Sequence, residues 1–197
     1  MLAWKFLSPG TVAPFTGIPW PRPGAGWMEG RSKPGSRVHA CALEDLPHWI
    51  DQELWVVELD GEVARARRQL VAARGRLVAR VDEWPAAEAE FTGACIERTR
   101  RRVIDALLAA GREDDAAVLS APREPEAERQ TALSIAGSGP SYVGYVADVI
   151  RRRPYPGTCA YMAANAAAAI GNVRGHDQER AEQAAWFSAR FKLGQPR

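Results

Sequence analysis

The stretch that decides the fold is Val38-His39-Ala40-Cys41, then Leu43-Glu44-Asp45-Leu46-Pro47-His48-Trp49-Ile50, then Leu54-Trp55-Val56-Val57-Glu58-Leu59. It reads as a short strand, one or two helical turns, and a second strand that is apolar on both faces. Alternate residues of a strand share a face, so His39 and Cys41 are expected to point one way and Val38 and Ala40 the other. The acidic residues of 43–50 come early, where the helix dipole favours them, and Pro47 suits a first turn. The 54–59 run has the continuous apolar character of a central buried strand. Asp60-Gly61 signals a tight turn after it.

Working outward toward the N-terminus, Ala3-Trp4-Lys5-Phe6-Leu7 is aromatic-rich and reads as the first strand. Between them, residues 8–36 interleave six prolines with six glycines, a density that no regular element survives. The same segment carries Phe15, Ile18, Trp20 and Trp27, which a disordered linker usually lacks. Its first half is therefore expected to be an ordered loop laid over the domain, and long ordered loops often cover binding sites. The plainer alternative is a surface loop whose aromatics patch the core.

Downstream of the central strand, Gln69-Leu70-Val71-Ala72 and Arg76-Leu77-Val78-Ala79-Arg80-Val81 read as two strands of a hairpin about Arg74-Gly75. Arg65, Arg67, Arg68, Arg74, Arg76 and Arg80 make this the most cationic part of the chain. Such a face is either simply solvated or a contact for an anion. No aromatic residues stand between the arginines, which argues against single-stranded nucleic acid.

Trp84-Pro85 marks a change of character, and beyond it the chain is Ala-rich and helical. The first long helix is expected over 86–110, with Phe91, Cys95, Thr99, Val103 and Leu107 as its buried stripe and Gly111 as its stop. Shorter helices follow over 114–119, 126–136 and 142–152. Two more are expected at the end, one capped by Thr158 and ended by Gly171-Asn172, the other capped by Asp177.

The 197 residues carry a net charge of +2 and an apolar fraction of 46%. That is material for a core and gives no general reason to expect nucleic acid or a membrane as partner. No apolar run is long enough to span a bilayer. The first seven residues meet Pro9-Gly10 too soon for a signal peptide. Three cysteines fit no disulfide framework or zinc ribbon, so a cytoplasmic protein with free thiols is expected. No glycine motif matches a phosphate-binding loop or a dinucleotide fingerprint.

Residues with chemistry to offer concentrate in the opening stretch. Cys41 is a candidate nucleophile with His39 or His48 as its base, set against the ordinary role of a small buried hydrophobe. The same three side chains could also bind a metal, although a zinc site normally recruits a fourth ligand or a water; no metal ligands are assigned and the cofactor is left open. Glu58 lies in an apolar run, so it is expected either to face inward with a raised pKa or to pair with an arginine of the hairpin. The catalytic candidates are His39, Cys41 and Glu58. The binding candidates are Trp20, Trp27, His48, Trp55, Arg76, Tyr155 and Cys159, the last placed near a helix N-terminus that favours its thiolate.

Val38-His39-Ala40-Cys41, Asp45-Leu46-Pro47-His48-Trp49 and Glu53-Leu54-Trp55 to Glu58-Leu59 resemble a group of bacterial proteins with no established activity. Ala160-Tyr161-Met162-Ala163 and Glu179-Arg180-Ala181 to Trp186 resemble the Ala-rich tail of that group. The resemblance implies no catalytic role. A strand, a helix and a Glu-bearing strand are also loosely similar to ADP-ribosyltransferase cores, but the serine-centred motif of those enzymes is not visible.

The expected architecture is α+β: an antiparallel sheet over 1–84 packed with an Ala-rich helical part over 85–197 in one compact unit. The expected function is an enzyme acting on a small molecule by acid–base or thiol chemistry. Its site would lie between sheet and helices, beneath the aromatic 11–27 loop. The alternative is a non-catalytic protein-interaction or anionic-ligand-binding module, self-association included.

Overall fold

Antiparallel pairing around one long strand organises the N-terminal half of the computed structural model, which describes residues 1–30 and 37–193. The strands are β1 (Leu2–Leu7), β2 (Met28–Glu29), β3 (Val38–Ala40), β4 (Glu53–Asp60), β5 (Ala64–Ala66), β6 (Gln69–Ala72) and β7 (Arg74–Arg80). The helices are α1 (Trp84–Ala109), α2 (Glu113–Ser120), α3 (Pro125–Ser138), α4 (Gly144–Arg151) and α5 (Pro156–Phe191). This is the α+β class expected from the strand-then-helix order. The 31–36 end of the expected loop and the last four residues of the expected helical part lie outside the described residues.

The chain divides into two compact units, 1–87 with 184–197, and 88–183, where the sequence suggests a single unit changing character at 84/85. The end of α5 belongs to the first unit for an aromatic reason. Phe187 and Trp84 each bring a ring to within 5.3–5.8 Å of Phe6 on β1. Phe191 closes the cluster against Phe187 and Trp84. Such edge-on pairs add to the burial of the rings themselves.

In the first unit one sheet has the order β1-β4-β7-β2 and the other β3-β6-β5. A two-way backbone bridge, Trp4 N–H to Cys41 O and Cys41 N–H to Trp4 O, joins the edge of β1 to the residue after β3. One apolar core draws on both sheets, including Ala3, Trp55, Val57 and Leu77 from the first and Ala40 and Leu70 from the second. Residues 43–48 form a 3-10 turn rather than an α-helix.

The expected hairpin of 69–81 does not exist. β6 pairs with β3 and β5, whereas β7 pairs with β4 and β2. Only Ala73 separates them, and a two-residue connection is the shortest usual hairpin, so the chain passes from one sheet to the other. Gly75 is not a turn residue but sits inside β7, where a Cβ would stand 2.9 Å from Val38 and 3.1 Å from Leu59. Its missing side chain lets the two sheets approach. Several arginines of this region are paired: Arg74 with Asp60, Arg76 with Glu58, and Arg65 with Glu44 and Asp45.

In the second unit, Phe91, Cys95, Thr99, Val103 and Leu107 are all buried, as the four-residue spacing requires. Glu179, fully buried, accepts from Arg98 at 2.8 Å, from Arg102, and from Gln183 Nε2 at 2.8 Å. A buried carboxylate needs such partners, and losing one leaves an uncompensated charge. α5 starts at Pro156, so Thr158 lies inside it rather than capping it. Its break falls at Asn172, with φ 54°, where the sequence ends the first of the two expected helices, and Asp177 lies within the continuing helix rather than capping a new one. Asn tolerates that left-handed conformation better than most residues and here accepts the Arg174 N–H.

Candidate functional site

A cavity of about 460 Å³ opens in the first unit, inside the size range of small-molecule sites. Its walls come from β1, β3 and the 13–20 part of the loop, with Trp49 and Gln69 completing them. The loop is ordered by local chemistry. Ser8 and Val12 exchange backbone hydrogen bonds, and Trp20 N–H and Thr11 Oγ1 close its far side. Glu53 anchors its base by accepting from the Gly10 and Thr11 amides at 3.4 and 3.3 Å and from Trp55 Nε1 at 3.1 Å. Over the cavity, Phe15 meets Trp49 edge-on at 5.8 Å.

The lining is largely apolar but also carries Thr16, Glu29, Arg37 and Gln69, and within it stand the amine of Lys5 and the imidazole of His39. Lys5 is partly buried, and its Nζ donates to His39 O at 2.8 Å and stands 5.2 Å from the centre of the Trp20 ring. Among the described residues no carboxylate lies within ion-pair distance of it. Desolvation of the ammonium pushes the Lys5 pKa below the ordinary lysine value, opposed in part by the neighbouring Cys41 sulfur. His39 Nδ1 lies 2.7 Å from Gln69 Oε1. An amide oxygen only accepts, so Nδ1 donates in this contact and Nε2 is the ring nitrogen left over.

Cys41 also lines the cavity but is only 3% exposed. Burial pushes its thiol up to about 12, so it carries no thiolate near neutral pH. A nucleophilic Cys41 is therefore at odds with its surroundings, although the residue lies where the sequence places it.

His39, Cys41 and Trp20 are brought together; the other candidates are not. Glu58 points to the opposite face of β4 from Trp55 and pairs with Arg76 at 2.6 Å. The carboxylate buried in that strand is Glu53, 9% exposed. Trp27 lies against the guanidinium groups of Arg74 and Arg76, at 4.8 and 4.7 Å. Trp55 is buried in the core beside Glu53, and His48 accepts from Arg68 at 3.0 Å. Tyr155 is exposed, outside the cavity. Cys159 is fully buried in the second unit, with carbonyls of Thr92 and Val149 beside its sulfur. It is the neighbour that, with burial, holds the Cys95 thiol protonated.

Lys5, Gln69, Phe15 and Trp49 are the site residues that sequence reasoning passed over. For Lys5 a signal existed: the chain has three lysines against 23 arginines, and one of the three stands in the middle of an apolar strand. Among the described residues no group of three His, Cys, Asp or Glu side chains is placed to hold a metal ion. No helix among them is long and apolar enough to cross a membrane. No protein-family model matches this chain, and no curated protein or solved structure shows significant similarity to it.

Proposed function

We propose that this protein binds a small, largely apolar molecule in the cavity beneath the 13–20 loop and acts on it by acid–base chemistry. The observation that carries the reading is that an amine, Lys5, and an imidazole held by Gln69, His39, line one aromatic-walled cavity. Polar groups are few in such sites and set orientation and reactivity, while apolar area supplies affinity. The acid–base form of the chemistry is favoured over the thiol form because the Cys41 thiol stays protonated. Three cysteines without a disulfide among them support a reducing compartment such as the cytoplasm.

The Lys5 ammonium without a carboxylate partner also favours a second reading, a module that holds a small anion without transforming it. Both readings need the cavity to accept a ligand. The probe is 8-anilinonaphthalene-1-sulfonate, an aromatic anion whose emission rises in apolar sites. Saturable binding of one probe per chain is expected, weakened roughly fivefold or more by Phe15→Ala, which removes an aromatic wall. Absence of saturable binding, or equal binding by Phe15→Ala, would overturn the assignment of the cavity.

A further inference from the structure

We propose that Lys5 is an amine nucleophile that forms an imine with a small aromatic or alkyl carbonyl compound held in the cavity. The inference rests on the ligand-binding reading above and names the substrate class for it.

Three independent observations support it. The first is the choice of residue. Arginine supplies nearly every cation of this chain, and its guanidinium cannot be deprotonated in proteins. Lysine stands at the cavity wall, where an amine that can lose its proton is the group with nucleophilic use. The second is its surroundings. Structural lysines pair with carboxylates; Lys5 instead has a single carbonyl acceptor and an aromatic face. Burial of the ammonium, with no carboxylate within ion-pair distance among the described residues, favours the free amine. The third is the neighbour. His39, held by Gln69, supplies a ring nitrogen for the proton transfers that imine formation requires.

The step balances without an oxidant. The Nζ lone pair adds to the carbonyl carbon, and the carbonyl π electrons move to oxygen, which takes up a proton. Nitrogen loses one proton, the C–O bond breaks with protonation of the hydroxyl, water leaves as the C=N bond forms, and the resulting iminium gives up the second N–H proton. One amine and one carbonyl become one imine and one water. The wall of Phe15, Ile18, Trp20 and Trp49 selects an aromatic or alkyl substituent on the carbonyl.

The test uses benzaldehyde with sodium cyanoborohydride, whose hydride reduces an imine to a stable benzylamine. The intact protein is treated near neutral pH, and the modified lysine is identified by peptide mass spectrometry. Lys5 is expected to carry the benzyl group in roughly tenfold or greater excess over the exposed Lys192, because desolvation raises the free-amine fraction of Lys5 and the cavity holds the aldehyde beside it. The rate of labelling at Lys5 should rise with pH about a midpoint below the ordinary lysine value. The excess should disappear when the cavity is saturated with the anilinonaphthalene sulfonate. Equal labelling of Lys5 and Lys192, or none at Lys5, overturns the proposal. If the sulfonate still binds in that case, only the amine role fails and the cavity remains a ligand site. If neither reagent engages the cavity, both readings fall. Lys5→Met should retain the labelling of Lys192 and lose that of the cavity.

Discussion

The Lys5 ammonium and the Trp20 indole face each other at 5.2 Å across the cavity wall, one from the first strand and the other from the loop that covers it. Trp20 is 5% exposed, so the contact joins a core aromatic to the one charged group of that wall from β1. An aromatic face stabilises a cation, by about 0.5–2 kcal/mol depending on desolvation, without neutralising it as a carboxylate would.

Trp20→Leu removes both the packing and the aromatic face. We expect a loss of about 2–4 kcal/mol of stability, in line with truncation of a buried aromatic. Urea unfolding measures it. In the same variant water reaches Lys5, and because hydration of the ammonium outweighs the lost aromatic face, the pH midpoint of its benzaldehyde labelling should move up toward the ordinary lysine value. A midpoint that stays in place would show that Trp20 does not shield the amine.

Glu53 and Glu58 should behave oppositely although both lie in β4. Glu53→Gln leaves part of its set of three donors unsatisfied, at a cost of about 1–3 kcal/mol. The Gly10 and Thr11 amides should then exchange hydrogen faster. Glu58→Gln removes a half-exposed pair with Arg76, worth less than about 1 kcal/mol. Binding of the sulfonate should be unchanged by Glu58→Gln. A large effect there would put Glu58 back into the site.

Gly75→Ala places a methyl group 2.9 Å from Val38 Cγ1 and 3.1 Å from Leu59 Cδ2. Overpacking of this kind costs about 1–3 kcal/mol. The companion Val38→Ala, combined with Gly75→Ala in a double-mutant cycle, should recover part of that loss, since it removes the nearest clashing atom. Strict additivity would argue that β3 and β7 do not meet at this point.

Cys41 makes a specific alkaline prediction. Its thiol ionises at about 12 in the folded chain against 9.0 for the ordinary value. The folded state thus holds the proton more tightly, and the resulting stability is present below pH 9 and lost as pH rises toward 12. Lys5 has the opposite sign, because its lowered pKa makes the folded state release its proton first, and that contribution grows up to pH 10.5. The Cys41 slope is therefore cleanest above pH 10.5. Cys41→Ala should flatten the fall in stability there, and an unchanged slope would refute the burial argument. At pH 7–8 iodoacetamide should label Cys41 only after unfolding.

Much of the fold was legible because its signals are local. The expected strands at 3–7, 38–41, 54–59 and 69–72 fall on β1, β3, β4 and β6, and the stripe from Phe91 to Leu107 is the buried face of α1. Alternation and four-residue spacing need only neighbours along the chain. The loop's ordered first half was legible too, since Trp20 and Phe15 have no reason to stand among prolines unless they cover something.

What the tertiary structure alone decided is pairing. The apolar run of β4 contains carboxylates at both ends, which alternation in its unbroken register against β1 puts on opposite faces, and the packing of the Glu53 face into the core makes that residue the buried one. Gly75 reads as a turn until Val38 is found beside it. Lys5 reads as the polar residue of an edge strand until β1 meets residue 41 and places its amine against the carbonyl of His39, 34 positions away. Sequence by itself settles the period of each element. Which faces meet depends on strand order and register, and a shift of one residue would have exchanged the cavity side of β1 for the other.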